Sequence, residues 1–309
     1  MKALLFPGQG SQLVGMGLEF YNKFEIVQNI FKEADEKLGF RISKIILEGP
    51  ETDLKLTKNT QPAILTISYS IFKLIKEEFG IKLENVKYFA GHSLGEYSAL
   101  ACAESITFEQ TVKLLKIRGK AMRTAVPKGE GGMIAVLGSE VEKINEIINT
   151  INKNFKCFIA NDNSIGQIVV SGKTKDLDLF SKELKIENIK NIKLPVTAPS
   201  HCELMNEATS IMSKEINNNE FKVPKNFIIS NVTAKPTNDP VEIKNLLIEQ
   251  IEKPVRWRET VINMINSENQ KFIEIGPGKV LSGLIKRINR GVKIDTVNDY
   301  GDIKDLTIN

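Results

Sequence analysis

At 309 residues, 41% hydrophobic and 26% charged, the chain is long enough for one large globular α/β unit with an insertion, and too apolar to stay disordered. Its 42 basic and 38 acidic residues leave a formal charge of +4. That excess is too slight for a nucleic-acid binder, and no dense basic run with interleaved aromatics occurs; it is compatible with an acidic protein partner or a phosphorylated ligand. No stretch reaches the roughly 18 apolar residues of a membrane span. Three widely spaced cysteines, Cys102, Cys157 and Cys202, give neither a disulfide framework nor a zinc pattern, so reduced thiols in a cytoplasmic protein without a metal are expected.

In chain order, residues 2–6 (KALLF) predict a buried strand that runs straight into the turn PGQGSQ, a pattern unlike a signal peptide. Residues 60–79 carry apolar positions at helical spacing after Asn59-Thr60, with Pro62 near the start, where helices accept it. Residues 86–90 (VKYFA) predict a strand, then a sharp turn at GHSLG, then a helix from EYSALACAES; a cation-rich helix follows over 107–125.

Residues 132–195 change rhythm. GMIAVLG reads as a strand, SEVEKINEIINTI as a helix, FKCFIAN and GQIVVSG as strands flanking a turn at DNSI, KTKDLDLFSKELK as a helix and NIKNIKLPV as a last strand. That order is the β-α-β-β-α-β of a ferredoxin-like unit. Pro127-Lys128-Gly129 and Pro195 bracket it. Beyond it, NFIISNV, KFIEIG and VKIDTVN predict strands and GKVLSGLIKRI an amphipathic helix. Strands separated by helices predict a parallel central sheet covered on both faces. The expected fold is therefore α/β: a hydrolase-like large domain from residues 1–127 and 196–309, and an inserted ferredoxin-like small domain over 128–195.

Gly91-His92-Ser93-Leu94-Gly95 is a G-x-S-x-G elbow, in which a strained strand-to-helix turn exposes the serine hydroxyl and aims the first helix amides at an incoming oxyanion. A serine nucleophile needs a base, and the chain has only two histidines. His92 adjoins Ser93, where neighbouring side chains on an extended segment diverge, so it is expected to line the pocket instead. His201, in the loop just past the small domain, is the expected base. An Asp, a Glu or a backbone carbonyl could orient it.

These segments resemble the malonyl-CoA:acyl-carrier-protein transacylases of bacterial-type fatty acid synthesis over essentially the whole chain: FPGQGSQLVGMG, NTQPAI, GHSLGEYSAL, LLKIRGKAM, NDNSIGQIVVSG, APSHCELM, EQIEKPVRW and EIGPGKVLSGLIKRI, in that order. The resemblance implies Ser93 as nucleophile and His201 as base. It implies the backbone amides of Gln9 and Leu94 as oxyanion hole, Arg118 as the partner of the malonyl carboxylate, and the Gln250 main-chain carbonyl as the group orienting His201. It further implies ping-pong transfer from malonyl-CoA to acyl carrier protein, with no bound cofactor. On the residues alone, Arg118 reads as a solvated helix charge and Gln9 as part of an ordinary turn whose amides are free for an anion.

Three other readings share parts of this pattern. An α/β-hydrolase-type thioesterase has the elbow, but usually a continuous architecture and an acid. An acyltransferase of polyketide or polyunsaturated lipid assembly has the same machinery; Leu94 is the residue type of malonyl-selective relatives, whereas Ser200 stands where malonyl-selective polyketide domains often carry Phe. A silent carrier-protein-binding module has no need of an intact Ser93 and His201.

Overall fold

The computed structural model describes residues 1–81, 86–151, 155–196, 198–304 and 306. Its strands are β1 (Lys2–Phe6), β2 (Val86–Gly91), β3 (Gly131–Leu137), β4 (Cys157–Ser164), β5 (Gln167–Lys173), β6 (Lys190–Lys193), β7 (Phe227–Ile229), β8 (Pro236–Thr237), β9 (Lys271–Ile275) and β10 (Lys293–Val297). Six form one sheet in the order β10-β9-β1-β2-β7-β8, parallel except for the edge strand β8. The other four form a second sheet, β4-β5-β3-β6, whose neighbours all run antiparallel.

Alternation along each strand divides the large core in two. In β1, Leu4 and Phe6 point to one face, and Ala3 and Leu5 to the other; β9 does the same with Ile273 and Ile275 against Phe272. The first face is covered by the helices Thr57–Glu77, Leu94–Cys102 and Phe108–Thr124, the second by Trp257–Asn266 and Val280–Ile288. Burial on both sides is why these strands read as unbroken apolar runs. In the second sheet, Ile134, Val136, Ile168 and Val170 pack under the helices Val141–Ile151 and Thr174–Ile186. Met133, Ala160 and Val169 form a small cluster on the opposite face, with Leu194 and Val196 against it.

Several expectations need correction. The helix expected from residue 60 starts at Thr57, so Pro62 lies in its second turn. Asn59 and Thr60, expected to precede or open the helix, lie within its first turn, and their side chains donate to the carbonyls of Asp53 and Leu54. The expected turn at DNSI is mostly strand: β4 continues to Ser164, and the chain turns at Ile165-Gly166. Asp162 N donates to Val255 O and Val255 N to Ala160 O, and this second neighbour holds the polar residues extended. In NFIISNV only Phe227–Ile229 is strand, because Asn231 is engaged with the 91–96 turn instead of a ladder.

Candidate active site

The loops that follow β1, β2, β7 and β9 leave from the carboxyl ends of parallel strands, where open α/β sheets bind ligands. After β2 the chain reverses at Ser93, which has φ 53° and ψ −110° and caps the helix Leu94–Cys102. A left-handed backbone is unusual for a non-glycine residue and stores strain of about 1–3 kcal/mol. The flanking glycines are dictated by space. A Cβ on Gly91 would lie 1.9 Å from the Gly95 backbone, and one on Gly95 would lie 2.1 Å from the Phe6 carbonyl oxygen. That second contact also presses the Pro7–Gly10 turn against the elbow, bringing Gln9 and Leu94 into the lining of one cavity. Among the described residues neither the Gln9 nor the Leu94 amide donates a hydrogen bond, as expected for the orphan N–H groups of a helix start and a Gly-rich turn.

Ser93 Oγ lies 2.9 Å from His201 Nε2. His201 Nδ1 lies 2.7 Å from the main-chain oxygen of Gln250. A carbonyl only accepts, so Nδ1 carries the proton and Nε2 presents its lone pair to Ser93. Gln250 is the C-cap of the helix Pro240–Glu249, so its carbonyl is one of those a helix end leaves unpaired. His201 also has a left-handed backbone, φ 61°. Its loop is tied to β5 by the Ser171 hydroxyl, which donates to Ser200 O at 2.6 Å. Burial, and next the Arg118 cation, hold the His201 pKa down to about 3, so the imidazole is neutral at physiological pH.

Arg118 is 1% exposed, which rules out a solvated helix charge. One of its amino groups donates to Gln61 Oε1 at 2.9 Å; the other donates to Gln250 Oε1 at 2.9 Å and Ser93 Oγ at 3.1 Å. All three partners are neutral, and Nε has none among the described residues. Burial lowers its pKa, the expected response of a cation held from water. His92 turns away from Ser93: its Nε2 meets Asn163 Oδ1 at 2.8 Å, and its ring packs by Trp257. The cavity these groups surround measures about 260 Å³ and is walled in part by Met133, Ala135 and Val169 from the second sheet and by Leu194 and Val196 just past it.

The model of the acyl transferase domain family matches residues 3–301. A malonyl CoA-acyl carrier protein transacylase of Bacillus subtilis is 42% identical over 299 residues, covering 96% of this chain and 93% of the relative. The chain belongs to the malonyl-CoA:acyl-carrier-protein transacylase family. Within that family, the acyl-carrier-protein S-malonyltransferase structure from Bartonella henselae is 40% identical, with a TM-score of 0.96 and coverage of 98% and 97%. A malonyl-transacylase solved in complex with its type II PKS acyl-carrier protein is 36% identical, with a TM-score of 0.94 and coverage of 98% and 97%. Among the described residues, no helix is long and apolar enough to cross a membrane.

Four polar residues of the transacylase site escaped the sequence reading: Gln61, Glu96, Asn163 and Asn231. Asn231 Oδ1 accepts from Ser93 N at 2.7 Å and its Nδ2 donates to Gly91 O at 2.7 Å, clamping the elbow from both sides. Glu96 was within reach, three residues past Ser93 on the same helix; Asn231 carried no comparable local signal.

Proposed function

We propose that this enzyme transfers the malonyl group of malonyl-CoA to the phosphopantetheine thiol of acyl carrier protein through a malonyl ester on Ser93, supplying malonyl-carrier protein for fatty acid elongation. The observation that carries the reading is the Arg118 guanidinium: buried, bonded only to neutral groups and 3.1 Å from Ser93 Oγ. Such a cation has no carboxylate bonded to it, and a substrate with a free carboxylate provides one with two parallel hydrogen bonds.

In this reading His201 Nε2 takes the Ser93 proton as Oγ attacks the thioester carbonyl. The amides of Gln9 and Leu94 receive the oxyanion that forms. The tetrahedral intermediate then collapses, the C–S bond breaks and CoA leaves as the thiol, protonated by His201. The carrier-protein thiol attacks the Ser93 ester by the same route in reverse. The Gln250 carbonyl keeps His201 in the required tautomer, leaving no task for an acid on the imidazole, and His92 lines the pocket. We assign residues 1–127 and 196–309 to a hydrolase-like catalytic domain, residues 128–195 to an inserted ferredoxin-like domain, and the enzyme to the cytoplasm.

Intact-mass analysis tests this. Malonyl-CoA alone should add one malonyl group, mapped to Ser93, and holo acyl carrier protein should remove it; Ser93→Ala should add none. An adduct on Cys102 or Cys202, or steady CoA release without carrier protein, would overturn the reading.

A further inference from the structure

Glu96 is a carboxylate 2% exposed that the chemistry above does not use. It occupies the first turn of the helix that Ser93 caps, the end of a helix that favours negative charge. One of its oxygens, Oε2, accepts two hydrogen bonds: from Asn231 N at 3.0 Å and from Gln250 Nε2 at 2.7 Å. Both donors belong to residues that already hold the reacting groups. Asn231 fixes the amide of Ser93. The Gln250 side chain spans the space between two charges, with Nε2 toward Glu96 and Oε1 toward Arg118; Nε2 also donates to the Ser93 carbonyl at 3.1 Å.

We propose that Glu96 is a positioning residue for malonyl transfer, whose buried carboxylate fixes the Gln250 amide and thereby aims the Arg118 guanidinium across Ser93. This rests on the function proposed above. The orientation of an amide is otherwise ambiguous, since its two ends are nearly isosteric. The Glu96 oxygen that already accepts from Asn231 N removes the ambiguity: as an acceptor it draws the amide nitrogen and leaves the amide oxygen for Arg118. Were the amide reversed, its N–H groups would confront a guanidinium that has no acceptor to offer. Burial raises the Glu96 carboxyl to about 7 even though the hydrogen bonds from Asn231 and Gln250, and the nearby Arg118 cation, favour its charged form. The carboxylate is thus held in place at a desolvation penalty, which is hard to explain for a residue serving only to fill space.

The experiment compares wild type, Glu96→Gln, Glu96→Leu, Gln250→Leu and the double variant Glu96→Leu/Gln250→Leu. It measures kcat/KM for malonyl-CoA and acetyl-CoA, with thermal unfolding as a check on folding. Glu96→Gln keeps an oxygen that can accept both bonds and should stay within about tenfold of wild type. Glu96→Leu should lose malonyl transfer on the order of 10²-fold, the scale of an ångström-sized misplacement, and should lower the malonyl-to-acetyl ratio. Gln250→Leu keeps the carbonyl that meets His201 and should lower the same ratio; in its background Glu96→Leu should change the ratio little further. If folded Glu96→Leu keeps the wild-type ratio, or lowers it equally in both backgrounds, the proposal is overturned. Should Glu96→Leu not fold, an unchanged ratio in Gln250→Leu overturns it alone. A wild type that does not prefer malonyl-CoA would instead overturn the function on which this rests.

Discussion

The six-stranded and four-stranded sheets both carry helices, yet they meet the cavity in different ways. The large sheet is covered on both faces and contributes through its strand ends: the Pro7–Gly10 turn, the Ser93 elbow and the Asn231 loop, joined by Arg118 and Gln250 from helices that pack on or beside it. These are the charged and strained elements. The small sheet has helices on one face only; it lends Met133 and Val169 to the cavity wall, and β4 adds Asn163. The charged and strained groups thus sit on turns and helices fixed by a deep core, while much of the apolar wall comes from a separate sheet and meets Met122, Leu281 and Leu284 from the large core. Changes on the first side should alter rate and charge selectivity; changes on the second should alter shape tolerance.

The largest expected effect on the catalytic side is from His201→Ala, which should slow acylation by roughly 10²–10⁴-fold, the usual span for lost general-base help. His92→Ala should do less damage to the chemical step, and single-turnover CoA release would show whether the order is reversed. Because burial and Arg118 hold the His201 pKa to about 3 against an ordinary 6.5, the acid limb of kcat/KM should lie well below 6.5. The sign for stability follows from the same shift. Between those two values the unfolded chain takes up a proton that the folded one refuses, so stability should fall as pH drops through that window.

Arg118→Ala should come next. Removing one partner of a buried charge pair typically costs about 2–5 kcal/mol, and the partner proposed above is the malonyl carboxylate. The loss should fall on malonyl-CoA and spare acetyl-CoA, since an acetyl group leaves the guanidinium unpaired in wild type. Arg118→Lys should fall between, because an ammonium lacks the planar fork. Equal losses with both substrates would make Arg118 structural.

The smallest effect is expected from the wall. Met133→Ala should change kcat/KM for malonyl-CoA by less than about tenfold while improving the relative use of branched malonyl thioesters, since it opens space in the apolar wall and leaves the reacting groups in place. A loss as large as that of Arg118→Ala would erase the distinction between the two sheets.

The same contrast governs what the sequence could reveal. The strand, turn and helix around Ser93 were legible because they are contiguous, and so was most of the strand-helix order, which depends on local periodicity; the two-residue β8 is too short to leave such a pattern. Arg118 was not legible as a buried group from its own surroundings, a helix rich in cations. The clue lay beside it: Gly119 weakens a helix interior unless something must come close, and a Cβ there would lie 2.5 Å from the Thr57 carbonyl oxygen. That approach brings Gln61 to Arg118. The role assigned to Gln250 as a carbonyl leaves no side-chain signature at all and entered the sequence reading only through family resemblance. The DNSI segment misled because its turn chemistry was local, whereas the bonds that keep it extended come from Val255.

The placement of β1 has a consequence for how the molecule is made. This strand lies between β2 and β9, with Lys2 opposite both Val86 and Lys271. The first strand synthesised therefore waits for nearly the last before its second edge is filled. Such long-range pairing is slow, because loop-closure entropy is lost before any contact offsets it. Until then the turn bearing Gln9 has a support on one side only, and His201 and Gln250 have yet to join an elbow 108 and 157 residues earlier in the chain. A growing or truncated chain can thus form the strand and helix around Ser93 long before it has His201, Gln250 and the second neighbour of β1, so the arrangement on which the proposed chemistry depends exists only once the chain has closed on itself.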